Sequence, residues 1–110
     1  MTANDLSQKF LKWFQSEYPE ARIYRNNAGI AKRGKQIVKF GIPNSGSPDY
    51  LAFIPDHKTK TLRVDFIEIK TINDKLSIKQ KQFAKLIKSI YGKYYIINEL
   101  KNGEFEINEY

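Results

Sequence analysis

The sequence predicts an α/β fold, a mixed central sheet flanked by helices in the order α-β-β-β-α-β. Three observations predict it. Two segments repeat apolar residues at helical spacing: Leu6, Phe10, Trp13 and Phe14, and later Phe83, Leu86, Ile87 and Ile90. Between them, residues 62–70 alternate with a period of two. Short runs rich in isoleucine, tyrosine and phenylalanine are separated by turn signals of glycine, proline and asparagine.

Thr2 or Asn4 caps a first helix over residues 5–18, and Pro19 stops it. Asp5 lies in its first turn, where a carboxylate complements the helix dipole; the other reading gives it a place in a functional site. Glu17 falls on the apolar stripe at the last turn, either snorkelling to water or facing a metal. Residues 21–25 form a short strand, and Asn26-Asn27-Ala28-Gly29 turns the chain. Residues 30–40 carry Lys32, Arg33, Lys35 and Lys39 and end in a strand candidate over 36–40. This stretch is a hairpin arm or a mobile loop. The glycines from Gly29 to Gly46 suit close backbone approach.

Asn44-Ser45-Gly46-Ser47-Pro48 leads into a strand over 50–54, with Asp49 at its start. A turn over 55–60 follows and holds His57, the only histidine, for which no catalytic role is expected. The strand over 62–70 places Val64, Phe66, Glu68 and Lys70 on one face and Asp65, Ile67 and Ile69 on the other. Ser77 caps the second helix with Gln80 three residues on, a capping box. Gln80 is thus either the reciprocal cap or a polar group turned into a site, two roles expected to exclude each other. Gly92 ends that helix. A strand over 93–98, the Asn102-Gly103 turn and a strand over 104–107 complete the chain.

At 110 residues this reads as a single domain spanning 1–110. The absence of cysteine excludes disulfides and thiolate metal sites. No apolar run approaches the length of a membrane helix and no signal-like segment opens the chain, so a cytoplasmic protein is expected. A net charge of +7 points to a polyanionic partner, nucleic acid being the commonest. Lys75, Lys79, Lys81, Lys85 and Lys88 concentrate that charge after Lys70.

Glu68 and Lys70 sit at the end of an otherwise apolar face, which is costly unless they are paired, metal-bound or at an open edge. With Asp49 on a neighbouring strand, they form a set that can hold a divalent cation and a charged helper over a phosphate. Such a cation stabilises charge on phosphoryl oxygens and makes hydroxide available near neutral pH. Lys70 either binds the phosphate or activates water.

Pro48-Asp49 followed some twenty residues on by Glu68-Ile69-Lys70 resembles the signature of the PD-(D/E)XK nuclease superfamily. Arg25-Asn26-Asn27-Ala28-Gly29, Phe66-Ile67-Glu68-Ile69-Lys70 and Leu76-Ser77 with Gln80 resemble its VRR-NUC branch, whose small stand-alone members look like phage or bacterial proteins. The layout is also similar to archaeal Holliday-junction resolvases. The resemblance implies a restriction-endonuclease-like core. It implies Mg2+ or Mn2+ held by Asp49, Glu68 and the backbone carbonyl of Ile69, with Asp5 the nearest match to a helix acid, one methylene short. Lys70 and Gln80 would complete the catalytic set. Arg25, Asn27, Lys32, Arg33, Lys35, Ser45 and Lys75 are candidates for nucleic-acid contacts.

The expected activity is a metal-dependent DNA endonuclease selective for branched, junction or flap DNA, in a bacterial or phage-infected cytoplasm. A junction-binding module without turnover and a nuclease acting on RNA are the alternatives. Cutting a two-fold symmetric junction in pairs implies a homodimer. Tyr94, Tyr95, Phe105 and Tyr110 would serve its interface if they are not in the core.

Overall fold

The computed structural model describes residues 1–42 and 46–110, with Ile30 and Phe40 described by their backbone alone. The elements run α1 (Ala3–Glu17), β1 (Arg22–Arg25), β2 (Gly29–Arg33), β3 (Gln36–Phe40), β4 (Tyr50–Asp56), β5 (Thr61–Lys70), α2 (Ile78–Ser89), β6 (Lys93–Glu99) and β7 (Phe105–Glu109). Five strands form one sheet in the order β1-β4-β5-β6-β7, and β2 with β3 forms a separate two-stranded sheet. The stretch expected to be a hairpin arm or a loop is therefore a hairpin.

The sheet is mixed because of how its strands are joined. Short turns connect β4 to β5 and β6 to β7, and both pairs are antiparallel. The β5–β6 connection instead crosses through α2, and that pair is parallel. Among the described residues no helix is long and apolar enough to cross a membrane.

Alternation along β5 divides the core in two. Ile67 and Ile69 face α1 and pack with Leu6, Phe10 and Phe14. Phe66 faces α2 and packs with Phe83, Ile87 and Tyr94. Asp65 is buried on the α1 side, and both its oxygens accept from Arg63 at 3.0–3.2 Å. Burial raises the Asp65 carboxyl above its usual range, and the Arg63 guanidinium opposes that rise.

Of the four aromatic residues considered for a dimer interface, Tyr94 is in the core and Tyr95, Phe105 and Tyr110 are half-buried. Tyr94 is buried, and Phe105 packs edge-on against Phe10 and Trp13. Tyr110 meets Tyr94 at a ring separation of 6.3 Å. Packing of these rings stabilises the fold.

Phe10 is the ring on which the α1 layer closes, at 2% exposure. Phe10→Ala is expected to destabilise the fold by about 3–5 kcal/mol. A urea titration would show a lower midpoint with an unchanged slope.

Candidate active site

The site forms at one end of the sheet, where β4 begins and β5 ends. Tyr50 pairs with Ile67 across the antiparallel ladder. One step further out, Asp49 stands level with Glu68. Residues level across such a ladder point to the same side. Asp49, Glu68, Ile69 and Lys70 accordingly line one open pocket of about 260 Å³.

Each carboxylate is held by a donor that the fold brings to it. Asp49 Oδ2 accepts from the Ile69 amide at 2.8 Å. Glu68 is buried; its Oε2 accepts from the Tyr94 hydroxyl at 3.1 Å and its Oε1 from Gln80 Nε2 at 3.3 Å. Burial, then the charge of Asp49 and a hydrogen bond with it, push the Glu68 carboxyl up to about 8, while Lys70 and Tyr94 pull it down. Burial and the neighbouring Glu68 push the Tyr94 hydroxyl up, so it remains a donor across the accessible pH range. Lys70 is buried along its stem, and its Nζ lies 3.5 Å from Asp74 Oδ2.

Gln80 fills both of its expected roles. Its Oε1 accepts from the Ser77 amide at 2.9 Å, closing the capping box, while Nε2 donates to Glu68. The expectation that the roles exclude each other fails because the amide has a separate acceptor and donor. Gly46 lets the loop before Asp49 approach this helix start. Its φ is +81°, and an added Cβ would stand 2.4 Å from the Lys79 carbonyl.

Asp5, the nearest match to a helix acid, is not among the residues that line the pocket. Its carboxylate accepts from the Thr2 amide at 3.0 Å, completing the capping box of α1. Asn4 and Ser7 of the same helix line the pocket instead. Glu17 is exposed at the far end of α1, and His57 pairs with Glu20 at the surface. Of the nucleic-acid candidates, Arg25 lines the pocket. Lys32, Arg33 and Lys35 are exposed on the hairpin, and Asn27 and Lys75 are exposed on connections. Ser45 lies outside the described residues.

Sequence reasoning missed Tyr94 and Asn26. Tyr94 reaches Glu68 only through the parallel β5–β6 pairing, which no local pattern announces. Asn26 Nδ2 donates to the Pro48 carbonyl at 2.8 Å and to Ser47 Oγ at 3.1 Å. Its Oδ1 accepts from the Ile42 amide at 3.0 Å. Its places in a turn signal and in the Arg25–Gly29 stretch that resembles the family were the available hints, and neither gave its partners.

Among the described residues no three His, Cys, Asp or Glu side chains converge as a metal cluster. The two carboxylates still fit a hard cation, since Mg2+ is commonly bound through one or two carboxylates together with water and substrate phosphate. A larger groove of about 790 Å³, lined by residues such as Ile54, Leu62 and Tyr91, has no comparable pair among the described residues. Its one carboxylate, on Asp56, accepts from the Lys58 and Thr59 amides.

The model of the VRR-NUC domain matches residues 2–98. Among solved structures, the fold is similar to Hjc of Archaeoglobus fulgidus, described as a Holliday junction resolvase from an archaeal hyperthermophile. The TM-score is 0.56 at 14% identity, covering 96% of this chain and 75% of that one. No curated protein matches the sequence.

The raised Glu68 pKa has a direct consequence for stability. Relative to its ordinary 4.5, a folded value of about 8 means a contribution that is full below the first and lost as pH rises through the second. With chelator present, the wild-type protein should lose on the order of a few kcal/mol across that interval. Glu68→Gln should flatten the profile and melt above wild type at alkaline pH. Thermal melts over a pH series check this; parallel profiles for the two proteins would rule out a buried, repelled carboxylate.

Proposed function

The chain belongs to the VRR-NUC domain family and has a PD-(D/E)XK nuclease-like fold; on that premise we propose that it is a divalent-metal-dependent endonuclease hydrolysing phosphodiester bonds in branched DNA. The observation that carries the proposal is the facing of Asp49 and Glu68 in one pocket with Lys70. Residues 1–110 are read as one such nuclease domain.

Asp49, Glu68 and the backbone carbonyl of Ile69 would hold Mg2+ or Mn2+. When bound, the cation supplies charge neutralisation at the phosphoryl oxygens and a lower pKa for water. Gln80 and Tyr94 hold the two oxygens of Glu68 in place. Lys70, oriented by Asp74, binds the phosphate or takes a proton from the attacking water. Arg25 adds a cation to the pocket wall. Lys32, Arg33, Lys35 and Lys75, with the Asn27 amide, extend the basic surface along which a phosphate backbone would run.

Branched DNA is supported by the shared fold with a protein described as a Holliday junction resolvase. Paired cuts in a near two-fold junction need two sites, so the acting form is proposed to be a homodimer. The net charge of +7 supports a nucleic-acid partner through counterion release.

The test is incubation with labelled four-way junctions, flaps and linear duplexes, with Mg2+ or with chelator. Cleavage of the branched forms should require the metal. Glu68→Ala should lower it at least about a thousandfold, and Lys70→Met about a hundredfold or more. Turnover that persists with chelator or in Glu68→Ala would overturn the mechanism. Salt-sensitive junction binding without cleavage under any divalent metal would assign a binding module instead. A requirement for the ribose 2′-OH would assign RNA.

A further inference from the structure

The β2–β3 hairpin is built as an arm. Its strands pair with each other and not with the five-stranded sheet, and residues 31–39 are all exposed. Between Gly29 and Phe40 there are four cations, Lys32, Arg33, Lys35 and Lys39, and no acid. Such a surface suits a polyanion.

Within this basic arm stands an aliphatic side chain. Ile37 is 67% exposed. It pairs across the ladder with Lys32, and Lys39 shares its face two residues on. Single exposed apolar residues are ordinary. An isoleucine framed by cations on a projecting hairpin is suited to a partner that offers phosphates around an apolar step. DNA offers that where its bases are unstacked, as at a branch point.

The root of the arm is tied to the catalytic loop. Gly41, at φ +70°, crosses so close to the chain at Ala28 that an added Cβ would stand 2.7 Å from its Cα. Just beyond, the Ile42 amide donates to Asn26. The same Asn26 side chain donates to the Pro48 carbonyl, next to Asp49. The arm thus has a set relation to the carboxylate pair.

We propose that the β2–β3 hairpin is a branch-point wedge: its cations follow the phosphate backbone while Ile37 enters an unstacked base step. The wedge would set the distance from the branch to the cut. This deepens the DNA reading above and rests on it.

The test uses a four-way junction with 2-aminopurine at the branch and a matching linear duplex, bound in Ca2+ or chelator. Wild type should raise the branch fluorescence. Ile37→Ser, a change at an exposed position, should lose most of that rise. It should also bind the junction about tenfold more weakly and the duplex within about twofold of wild type. Lys32→Gln should instead lower the salt slope by about one counterion on both DNAs. Equal branch fluorescence and equal junction preference in Ile37→Ser would overturn the wedge. So would a change of sedimentation state in that variant, which would assign the face to a second copy of the chain. Wild type that distorts the branch but never cuts it with Mg2+ would overturn the nuclease reading and uphold the wedge. Cutting with an unchanged Ile37→Ser would do the reverse.

Discussion

The feature on which the rest of the structure depends is the burial of Glu68 level with Asp49 on the neighbouring strand. Asp49 and Glu68 are brought together by the β4–β5 register. Burial and the charge of Asp49 both resist ionisation of Glu68. Strand ends arranged only for stability would place apolar or oppositely charged residues there. The surrounding groups make this arrangement tolerable. Lys70 brings a positive charge, the Ile69 amide satisfies Asp49, and Tyr94 and Gln80 satisfy Glu68. Strain of this kind, kept up by several elements at once, is typical of functional sites.

Each supporting group comes from a different part of the chain, so the site integrates the fold. The start of α2 provides Gln80, and β6 provides Tyr94. The capped start of α1 brings Asn4 and Ser7 to the pocket. The Asn26 side chain links the hairpin root, the loop at Pro48 and β1 in one hydrogen-bonded knot.

The distribution of charge fits the same picture. The exposed lysines of α2 and of the hairpin carry much of the basic surplus. Arg63 and Lys93 are instead engaged by Asp65 and Glu109. The pairing leaves the surplus on the hairpin and on α2, the helix whose first turn reaches Glu68, which is where a phosphate backbone entering the proposed site would need it.

The sequence by itself determined both helices, the strands outside the hairpin and the two faces of β5. Period-two alternation put Glu68 and Phe66 on one face and Ile67 and Ile69 on the other, because side-chain direction in a strand is local. The helices were legible for the same reason: their apolar stripes and caps lie within a few residues of each other. Pairing between distant strands is not local. Only the tertiary structure placed Asp49 level with Glu68 and Tyr94 beneath it, since register and parallel neighbours depend on contacts across the chain. The same holds for Asp5 and Gln80. The sequence placed Asp5 in the first turn of one helix and Gln80 in the capping box of the other. Whether either also reaches a site carboxylate depends on how the helix lies against the sheet, and that orientation brings the Gln80 amide to Glu68 while the Asp5 carboxylate accepts from Thr2.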